Sequence, residues 1–502
     1  MKVRLLHPST DAPLTPTLPT LLGLMVDDDL DLHSVYTAMA HGDLYLRDVA
    51  CKVMLASVTD PAIIEYRQQV YHDIVANLAV AQQMYELAVG GEQVVRRIYL
   101  GGLMSHHPTS ILSRAVHLHE LLADDLQALR KIGDQHASTF TSPGFTQFWA
   151  MVTDQLDDTY LSTVRAELVE LAMPRGTAFS AQLGLGNKGI EYRPHRPTRH
   201  NWWERFTGHD HPGRGFTIED RDQAGSDALS EMADRALNEL ANTATQAADH
   251  IQAFFAHLRF ELGFYLGCHN LQALLTRIGI PTCMPTAAPA GERRLQCTEL
   301  RDIALCLNSS RPTVGNTIDG DGKALIIVTG ANEGGKSTFL RSVGAAQMMM
   351  QAGMFVVAES FTASVATGVY THFKREEDAA MTHGKLDEEL ARMSDIADAI
   401  TPASLLLCNE SFASTTEREG SQIGRGIIDA FIRADINVVF VTHQFDLGDS
   451  LFRRHDPRYL FLRAQRQDDA TRTFRITEGA PAATSHGLDS FARVFGRAIQ
   501  LQ

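Results

Sequence analysis

The chain has 502 residues, 44% of them hydrophobic and 21% charged, so its composition is that of a globular protein and excludes a largely disordered one. Its length exceeds what one hydrophobic core organises and predicts roughly two to four domains. Asp and Glu outnumber Lys and Arg by 60 to 45. The net charge of −15 argues against a strongly basic, nonspecific nucleic-acid binder but leaves room for a local basic patch.

The sequence also bears on the cellular setting. No apolar run approaches the roughly 18–20 residues that cross a bilayer, and the first residues lack the apolar core of a signal peptide. The six cysteines are scattered without a Cys-x-x-Cys pair, and the histidines form no metal-spaced cluster. These features predict a cytoplasmic protein with reduced thiols, no membrane segment and no zinc site.

Residues up to about 290 are predicted to be mostly helical. Apolar residues recur at three- and four-residue steps in the segments 36–89, 115–132 and 145–171. The longest such pattern runs from Ser226 to about Asn270 and predicts one helix on the order of 65 Å long. A helix of this length suggests a lever or stalk, and the alternative is two shorter core helices broken near Thr243.

A polar insertion at about 176–225 separates two long helical stretches. It holds cations and aromatic side chains interleaved with prolines: Arg193, His195, Arg196, Arg199, His200, Trp202, Trp203 and Arg205. Cations with aromatics in an irregular segment can grip a sugar-phosphate backbone. An equally weighted alternative is a surface loop whose tryptophans pack into a small local hydrophobic core.

Prolines at 281, 285 and 289 mark a boundary, after which short apolar strands alternate with helices. The predicted strands are 324–329, 404–409 and 437–442, and the predicted helices are 336–350, 386–399 and 423–433. This alternation is typical of an α/β domain with a largely parallel sheet. The predicted fold class is therefore multidomain α + α/β, with a helical domain over residues 1–290 and an α/β domain over 291–502.

A glycine-rich segment follows the first of these strands. It reads Gly330-Ala331-Asn332-Glu333-Gly334-Gly335-Lys336-Ser337-Thr338 and stands between a strand and a helix, the context that makes Gly-x-x-x-x-Gly-Lys-Ser a phosphate site. Backbone N–H groups and the helix N-terminus would face the phosphates. Lys336 would reach the β- and γ-phosphates, and the Ser337 hydroxyl would bind Mg²⁺. The segment predicts a nucleoside triphosphate site.

Two further strand ends complete this predicted site. Asn409 and Glu410 end the second strand in the Walker B position, where the first residue supports Mg²⁺ and the second polarises the attacking water. Glu410 is therefore the candidate catalytic base and, with Ser337 and Asn409, a candidate metal ligand. Since an amide brings no charge to the ion, Asn409 predicts weaker Mg²⁺ affinity and slower turnover. His443, after the third strand, is placed to sense the γ-phosphate.

These segments resemble the ATPase domain of the MutS mismatch-repair family. The resemblance rests on the glycine-rich loop, Leu405-Leu-Leu-Cys-Asn-Glu410, Arg418-Glu-Gly420 and Thr442-His-Gln-Phe-Asp-Leu447, with flanking similarities at Gly315-Asn316 and Ser485-His-Gly-Leu488. The N-terminal half is similar to the family's core and lever through Thr59-Asp-Pro61, Ile64, Tyr66-Arg67 and the long helix. The insertion stands where a clamp would interrupt the lever.

The resemblance implies a function. A MutS-like protein has an ABC-type P-loop ATPase domain, binds ATP with Mg²⁺, and forms a homodimer whose two composite sites drive helical levers. DNA would then be held by the levers and the clamp-like insertion and recognised by its shape. An ATP-driven protein-binding clamp that never touches DNA is an alternative, supported by the net charge of −15. A nucleotide-stabilised dimer with little hydrolysis is another, supported by Asn409.

Three departures from the family pattern shape these expectations. Nothing in the sequence before the core matches the family's N-terminal mismatch-reading domain, so that domain is expected to be absent. Where the family has Gly-x-Ser-Thr-Phe, which reaches the partner's γ-phosphate, the chain reads His383-Gly384-Lys385-Leu386-Asp387. That contact is either lost or made by Lys385. Asn409 and the run from Ser411 replace the Asp and the Gly-Arg-Gly-Thr-Ser-Thr that usually flank the catalytic Glu.

Overall fold

The structure, a computed structural model, describes residues 1–14, 21–100, 108–172, 178–195, 222–309, 312–330, 333–375, 384–466 and 472–481. Within them the α-helices are α1 (Leu21–Asp29), α2 (Leu32–Ala40), α3 (Leu44–Leu55), α4 (Pro61–Ala76), α5 (Leu78–Leu100), α6 (Pro108–His136), α7 (Pro143–Gln155), α8 (Asp158–Leu171), α9 (Gln223–Arg277), α10 (Ile303–Asn308), α11 (Lys336–Ala352), α12 (Lys385–Ala399), α13 (Glu417–Arg433) and α14 (Phe445–Phe452). The β-strands are β1 (Ala178–Leu183), β2 (Gly189–His195), β3 (Thr286–Ala288), β4 (Leu295–Leu300), β5 (Asn316–Asp319), β6 (Leu325–Thr329), β7 (Ser360–Ser364), β8 (Val369–Phe373), β9 (Leu405–Asn409), β10 (Asn437–Val441), β11 (Tyr459–Arg466) and β12 (Arg472–Glu478).

The chain divides into two compact units. One comprises Met1–Arg4, Asn77–Thr141 and Phe145–Leu262, and the other comprises Leu5–Ala76, Ser142–Gly144 and Gly263–Gln502. Residues 5–76 therefore group with the C-terminal part of the chain, although the sequence pattern assigned them to a helical domain over 1–290. The domain boundary that the sequence predicts near residue 290 stays a prediction.

The first unit is built mainly of helices. One of its cores is formed by α6, α8 and α9, through buried Leu112, Val116, Leu168 and Leu237. Helix α9 is 55 residues long and continues through position 243, so one long helix is observed and not two shorter ones. At 1.5 Å per residue it extends for about 80 Å.

The polar insertion contains regular structure in its first part. Strands β1 and β2 pair antiparallel, and Gly186 in the connection has a φ of +73°, which favours glycine. The expectation of an irregular segment is therefore wrong for residues 178–195, which form this hairpin. The missed signal is the alternation of Phe179, Ala181 and Leu183 before three closely spaced glycines, a pattern typical of a hairpin strand.

The second unit contains a six-stranded sheet in the order β12-β11-β6-β10-β9-β8. Neighbours from β11 to β8 are parallel, and only the edge strand β12 runs antiparallel to its neighbour. Strand β6 is buried along its whole length, as is typical of a parallel sheet covered on both faces. The predicted largely parallel sheet is confirmed, and β6, β9 and β10 stand where the sequence placed strands.

Helices α12, α13 and α14 contribute to the core on one face of this sheet, through residues such as Ile396, Ile428 and Leu447. The sequence placed the start of α13 at residue 423, six residues late. Thr416 caps the helix by accepting a hydrogen bond from the Glu419 N–H. Thr416-x-x-Glu419 is the spacing of a capping box, so the correct start was readable in the sequence.

Elements that are not predicted from the sequence complete this unit. A four-stranded sheet has the order β3-β7-β4-β5. Beside it, Arg67 of α4 is buried and donates hydrogen bonds to Leu6 O at 2.8 Å and to Ala352 O at 3.1 Å. Ala352 is the last residue of α11, where a cation complements the negative end of the helix dipole. Gly353 follows with a φ of +84°, and a Cβ there would lie 2.4 Å from the Arg67 Cβ.

Candidate functional site

The loop after β6 is shaped by glycines. Gly330 has a φ of +115°, and a Cβ there would lie 3.0 Å from Ala464 N. Gly335 caps the N-terminus of α11 with a φ of +89°, and a Cβ there would lie 3.2 Å from Phe474 O. Both positions therefore combine a left-handed backbone with close backbone neighbours, which only glycine tolerates without strain. Ala331 and Asn332 lie outside the described residues.

Lys336 is the first residue of α11 and points back at this loop. Its side chain is buried, and Nζ donates a hydrogen bond of 2.9 Å to Gly330 O. Burial lowers the pKa of Lys336, whereas the negative charge of Glu410 acts in the opposite direction. The amine is thus held inside the loop, at the positive end of a helix, where an anion would be bound.

Ser337 and Asn409 join the loop to the second strand end. Ser337 Oγ donates a hydrogen bond of 2.9 Å to Asn409 Oδ1. Asn409 ends β9, which is separated from β6 by β10 in the sheet. Two side-chain oxygens therefore face each other beside the loop, and oxygen is the ligand that Mg²⁺ prefers.

Glu410 follows in an unusual backbone conformation. Its φ is +54°, and its N–H donates to Val441 O at 2.9 Å. The pKa of its carboxyl is lowered, first by hydrogen bonding with His443 and further by the positive charges of Lys336 and Lys374, against the opposing effect of burial. Since His443 Nδ1 and Glu410 Oε2 are 3.5 Å apart, that contact is a loose one. Glu410 is consequently an ionised carboxylate at neutral pH.

The predicted site residues meet because the strands that carry them are parallel. Their carboxyl ends share one edge of the sheet, and Thr442 N–H binds Val328 O at 3.1 Å across that edge. The structure thereby brings together Lys336, Ser337, Asn409, Glu410 and His443. It describes Glu333 and Gly334 in the loop and Thr338 in α11.

Sequence reasoning missed other residues at this edge. Lys374 follows β8, its N–H donates to Asn409 O at 3.0 Å, and its charge acts on Glu410. Gln444 donates from Nε2 to Phe412 O at 3.0 Å, just beyond Glu410. Strand β8 has the sequence Val369-Tyr-Thr-His-Phe373, rich in β-branched and aromatic residues, so its position was detectable.

Other predicted positions are only partly described. Lys385 is the first residue of α12 behind the N-cap Gly384, and His383 lies outside the described residues. Arg193 is exposed on β2 with Glu191 at 3.6 Å. The remaining cations and tryptophans of the insertion, Arg196, Arg199, His200, Trp202, Trp203 and Arg205, fall outside the described residues, as do Ser485–Leu488 and the side chain of His195.

Comparison with known families covers both halves of the chain. Residues 59–278 match the MutS2 N-terminal domain, and residues 326–496 match MutS domain V. The chain belongs to the MutS family. The second match contains Lys336, Asn409, Glu410 and His443, so the candidate site lies within MutS domain V.

Individual MutS-family relatives match over shorter segments. The chain is 30% identical over 177 residues to "DNA mismatch repair protein MSH3" of Coccidioides immitis, a match that covers 34% of this chain and 16% of the relative. It is 31% identical over 143 residues to "DNA mismatch repair protein MutS" of Chloroflexus aurantiacus, covering 28% and 15%. It is 28% identical over 170 residues to "DNA mismatch repair protein MutS 2" of Halobacterium salinarum, covering 34% and 20%. Each match thus spans a fifth or less of the relative's length.

Two features are absent from the residues that the structure describes. None of their helices is long and apolar enough to cross a membrane. They also contain no group of three or more His, Cys, Asp or Glu side chains that could hold a metal ion.

Proposed function

We propose that this MutS-family chain is an ATPase that recognises the structure of the DNA it binds. It couples ATP binding and hydrolysis to the movement of a clamp. The observation that carries the proposal is the meeting of Lys336, Ser337, Asn409 and Glu410 at one edge of a parallel sheet, supported by the hydrogen bond between Ser337 and Asn409. A phosphate-binding lysine, a metal-supporting pair and a carboxylate base are the parts that ATP hydrolysis requires.

The loop fits a triphosphate. Its glycines allow the backbone to approach an anion closely, and α11 directs its positive end toward the loop. The amine of Lys336 donates to the Gly330 carbonyl of the loop, so it lies where a bound phosphate would be placed. Burial disfavours its charge in the absence of an anion, so a bound triphosphate would stabilise the charged form.

The same edge fits a magnesium ion that is bound largely through phosphates and water. Ser337 Oγ and Asn409 Oδ1 would hold it, with Glu410 beside them. Mg²⁺ typically uses one or two side chains plus substrate phosphates, which agrees with the lack of a three-residue metal cluster among the described residues. When bound, the ion would supply charge neutralisation on the phosphates.

Glu410 is the proposed general base. Because its pKa is lowered, the Glu410 carboxylate is ionised and can accept a proton from water. His443 lies close enough to orient this carboxylate or to sense the γ-phosphate. Asn409 brings no negative charge to the ion, so turnover is expected to be slow. The proposal also includes a homodimer in a cytoplasmic setting, with Lys385 as the residue that could reach the partner's nucleotide.

DNA is the proposed partner because the relatives that match are named as DNA mismatch repair proteins. Arg193 and the neighbouring cations of the insertion would contact the sugar-phosphate backbone. The net charge of −15 favours a second candidate, an ATP-dependent protein-interaction clamp. The neutral Asn409 favours a third, a nucleotide-stabilised dimer with little hydrolysis.

One experiment separates these candidates. ATP hydrolysis is measured together with binding to duplex and branched DNA, with and without ATP and at several salt concentrations. Hydrolysis together with salt-dependent DNA binding supports the proposal. Hydrolysis without DNA binding at low salt would favour the protein clamp, and ATP-dependent dimerisation without turnover would favour the third candidate. Failure to bind ATP would refute all three.

A further inference from the structure

The turn that carries Glu410 is strained. Glu410 and Phe412 both have left-handed φ values, +54° and +61°, although neither is glycine. Such conformations are unfavourable for residues with a Cβ and persist only where the surrounding structure holds them. The residue between them, Ser411, is buried. Its contacts therefore show what fixes the turn.

Ser411 is anchored to His372 of β8. Its Oγ lies 2.6 Å from His372 Nδ1 and 2.8 Å from His372 O, both of which can accept its hydrogen. The other ring nitrogen, Nε2, lies 3.0 Å from Glu389 O of α12. A carbonyl only accepts, so Nε2 carries the hydrogen and Nδ1 is the acceptor in the neutral ring. Burial lowers the pKa of His372 to about 4, which agrees with a neutral ring.

Phe412 is held on the other side of the same turn. Its ring stacks on His372 with centroids 5.5 Å apart and an interplanar angle of 25°. Its carbonyl accepts a hydrogen bond of 3.0 Å from Gln444 Nε2. Gly420 lies so close to this carbonyl that a Cβ on residue 420 would be 2.3 Å from the Phe412 oxygen. The backbone on the C-terminal side of Glu410 thus has little room to relax.

The same network reaches α12. Ser414 Oγ donates to Glu389 Oε1 at 2.8 Å, and Glu389 also supplies the carbonyl that His372 binds. His372, Glu389, Ser411 and Ser414 are all largely buried or half-buried, so these hydrogen bonds form away from water. The loop after Glu410 is therefore connected to a helix whose first residue is Lys385.

We propose that His372 and Ser411 are positioning residues that hold the strained turn at Glu410 in its hydrolytic geometry. Both side chains are buried and would act through the backbone on either side of Ser411. The inference rests on the proposed ATPase function and extends it, because it assigns a role to a strand that carries none of the nucleotide-binding residues. Removing the Ser411 hydroxyl should let the turn relax without disturbing the phosphate loop.

The test compares two serines that bridge the same two strands. Ser404 precedes β9 and lies 2.9 Å from Thr367 Oγ1, which precedes β8, so it is the counterpart of Ser411 at the opposite sheet edge. We expect Ser411→Ala to lower kcat by about 10-fold, because a sub-ångström displacement of a catalytic base has an effect of about this size. KM and ATP affinity should stay within about twofold of the parent's values. Ser404→Ala should keep the parent's kcat. His372→Phe should resemble Ser411→Ala, and the double variant should be no slower than the slower single variant.

Hydrogen exchange of residues 409–416 gives a readout that does not need turnover. Exchange there should rise in Ser411→Ala and stay unchanged in Ser404→Ala. An active parent whose kcat survives Ser411→Ala, or falls equally in Ser404→Ala, would overturn the positioning role. A parent without hydrolysis would refute the ATPase proposal instead, and the exchange data would still show whether Ser411 holds the turn. If His372→Phe fails to fold, the Ser411→Ala comparison carries the test alone.

Discussion

Ser337 Oγ and Asn409 Oδ1 are joined by a hydrogen bond of 2.9 Å between the first turn of α11 and the end of β9. The contact joins the two elements that an ATPase uses to hold a metal-bound triphosphate. It is made to a neutral amide, so the oxygen that would face an ion carries only a partial charge. The hydrogen bond therefore connects α11 with β9, but the neutral amide attracts a cation only weakly.

The first prediction concerns this amide. Asn409→Asp should tighten Mg²⁺ binding and raise ATP turnover, because a carboxylate adds a full negative charge beside the ion. The measurement is the Mg²⁺ dependence of hydrolysis, together with direct Mg²⁺ titration in the presence of a non-hydrolysable triphosphate. Asn242→Asp, at an exposed position of α9, controls for an added negative charge elsewhere in the chain. Lower activity in Asn409→Asp would show that the site is built around the amide.

The second prediction concerns Lys336. Lys336→Ala should abolish measurable ATP binding, because the residue supplies charge to the phosphates. The free energy of unfolding should change by no more than about 1 kcal/mol, since no large apolar contact is removed. Calorimetric titration with ATP and urea unfolding provide the two readouts. Lys323→Ala is the matched control, since Lys323 precedes β6 and binds Pro457 O. ATP binding equal to the parent's in Lys336→Ala would refute the site assignment.

The third prediction concerns the base. Glu410→Gln should retain ATP but lower hydrolysis by about 10²-fold or more, the usual order for a positioned base. The variant should therefore accumulate as an ATP-bound dimer, detectable by light scattering with ATP present. Glu417→Gln, in the first turn of α13, should keep the parent's rate. Unchanged turnover in Glu410→Gln would move the base elsewhere, with Glu417 and Glu419 as the next candidates.

The fourth prediction is a pH dependence of stability. The pKa of His372 is lowered to about 4 by burial, below the ordinary histidine value of about 6.5. Between these values the unfolded chain binds a proton that the folded chain does not, so this residue lowers stability as the pH falls from about 6.5 to about 4. The slope approaches about 1.4 kcal/mol per pH unit. Urea unfolding at pH 7 and pH 5 should show a smaller loss in His372→Phe than in the parent.

A histidine on the surface provides the control for this measurement. His250 is exposed on α9, and His250→Phe controls for the exchange of a histidine for a phenylalanine elsewhere in the chain. Equal losses of stability in the parent and in His372→Phe between pH 7 and pH 5 would contradict a neutral, buried His372.

The fifth prediction concerns the insertion. Replacing Arg193, Arg196, Arg199 and Arg205 with Ala should weaken binding to all DNA forms alike, because phosphate contacts carry no sequence information. Each lost contact should reduce the slope of log affinity against log salt by roughly 0.9. ATP hydrolysis without DNA should stay near the parent's rate. A parent that shows no DNA binding at low salt would refute the idea before any variant is made.

The sequence predicted the strands and the helix around the candidate site well because their signals are local. The apolar run before Gly330, the glycine spacing and Lys336 are all adjacent in sequence, and β9 and β10 are short buried runs of the same kind. Parallel pairing then places their ends together without further information. The hydrophobic stripe likewise predicted α9, because its period persists over many turns.

Other features depend on contacts between distant segments. The bond between Arg67 and Ala352 joins residues 285 positions apart, and no local pattern predicts that residues 5–76 join the C-terminal unit. The strain at Phe412 was equally hidden, since its left-handed φ is stabilised by His372 and Gln444 from other strand ends. Such features become visible only when the tertiary structure is known.

The Arg67 contact has a practical consequence for protein production. A fragment that starts at residue 291 would lack Arg67, whose aliphatic stem covers Gly353 and whose guanidinium binds Ala352 O. It would also leave Gln351, which exchanges hydrogen bonds with Val58, without that backbone partner. Buried polar groups that lose their partners are costly, so we expect such a fragment to be poorly soluble and prone to aggregate. A shorter version that folds should retain residues 5–76, supplied on the same chain or co-expressed as a separate peptide.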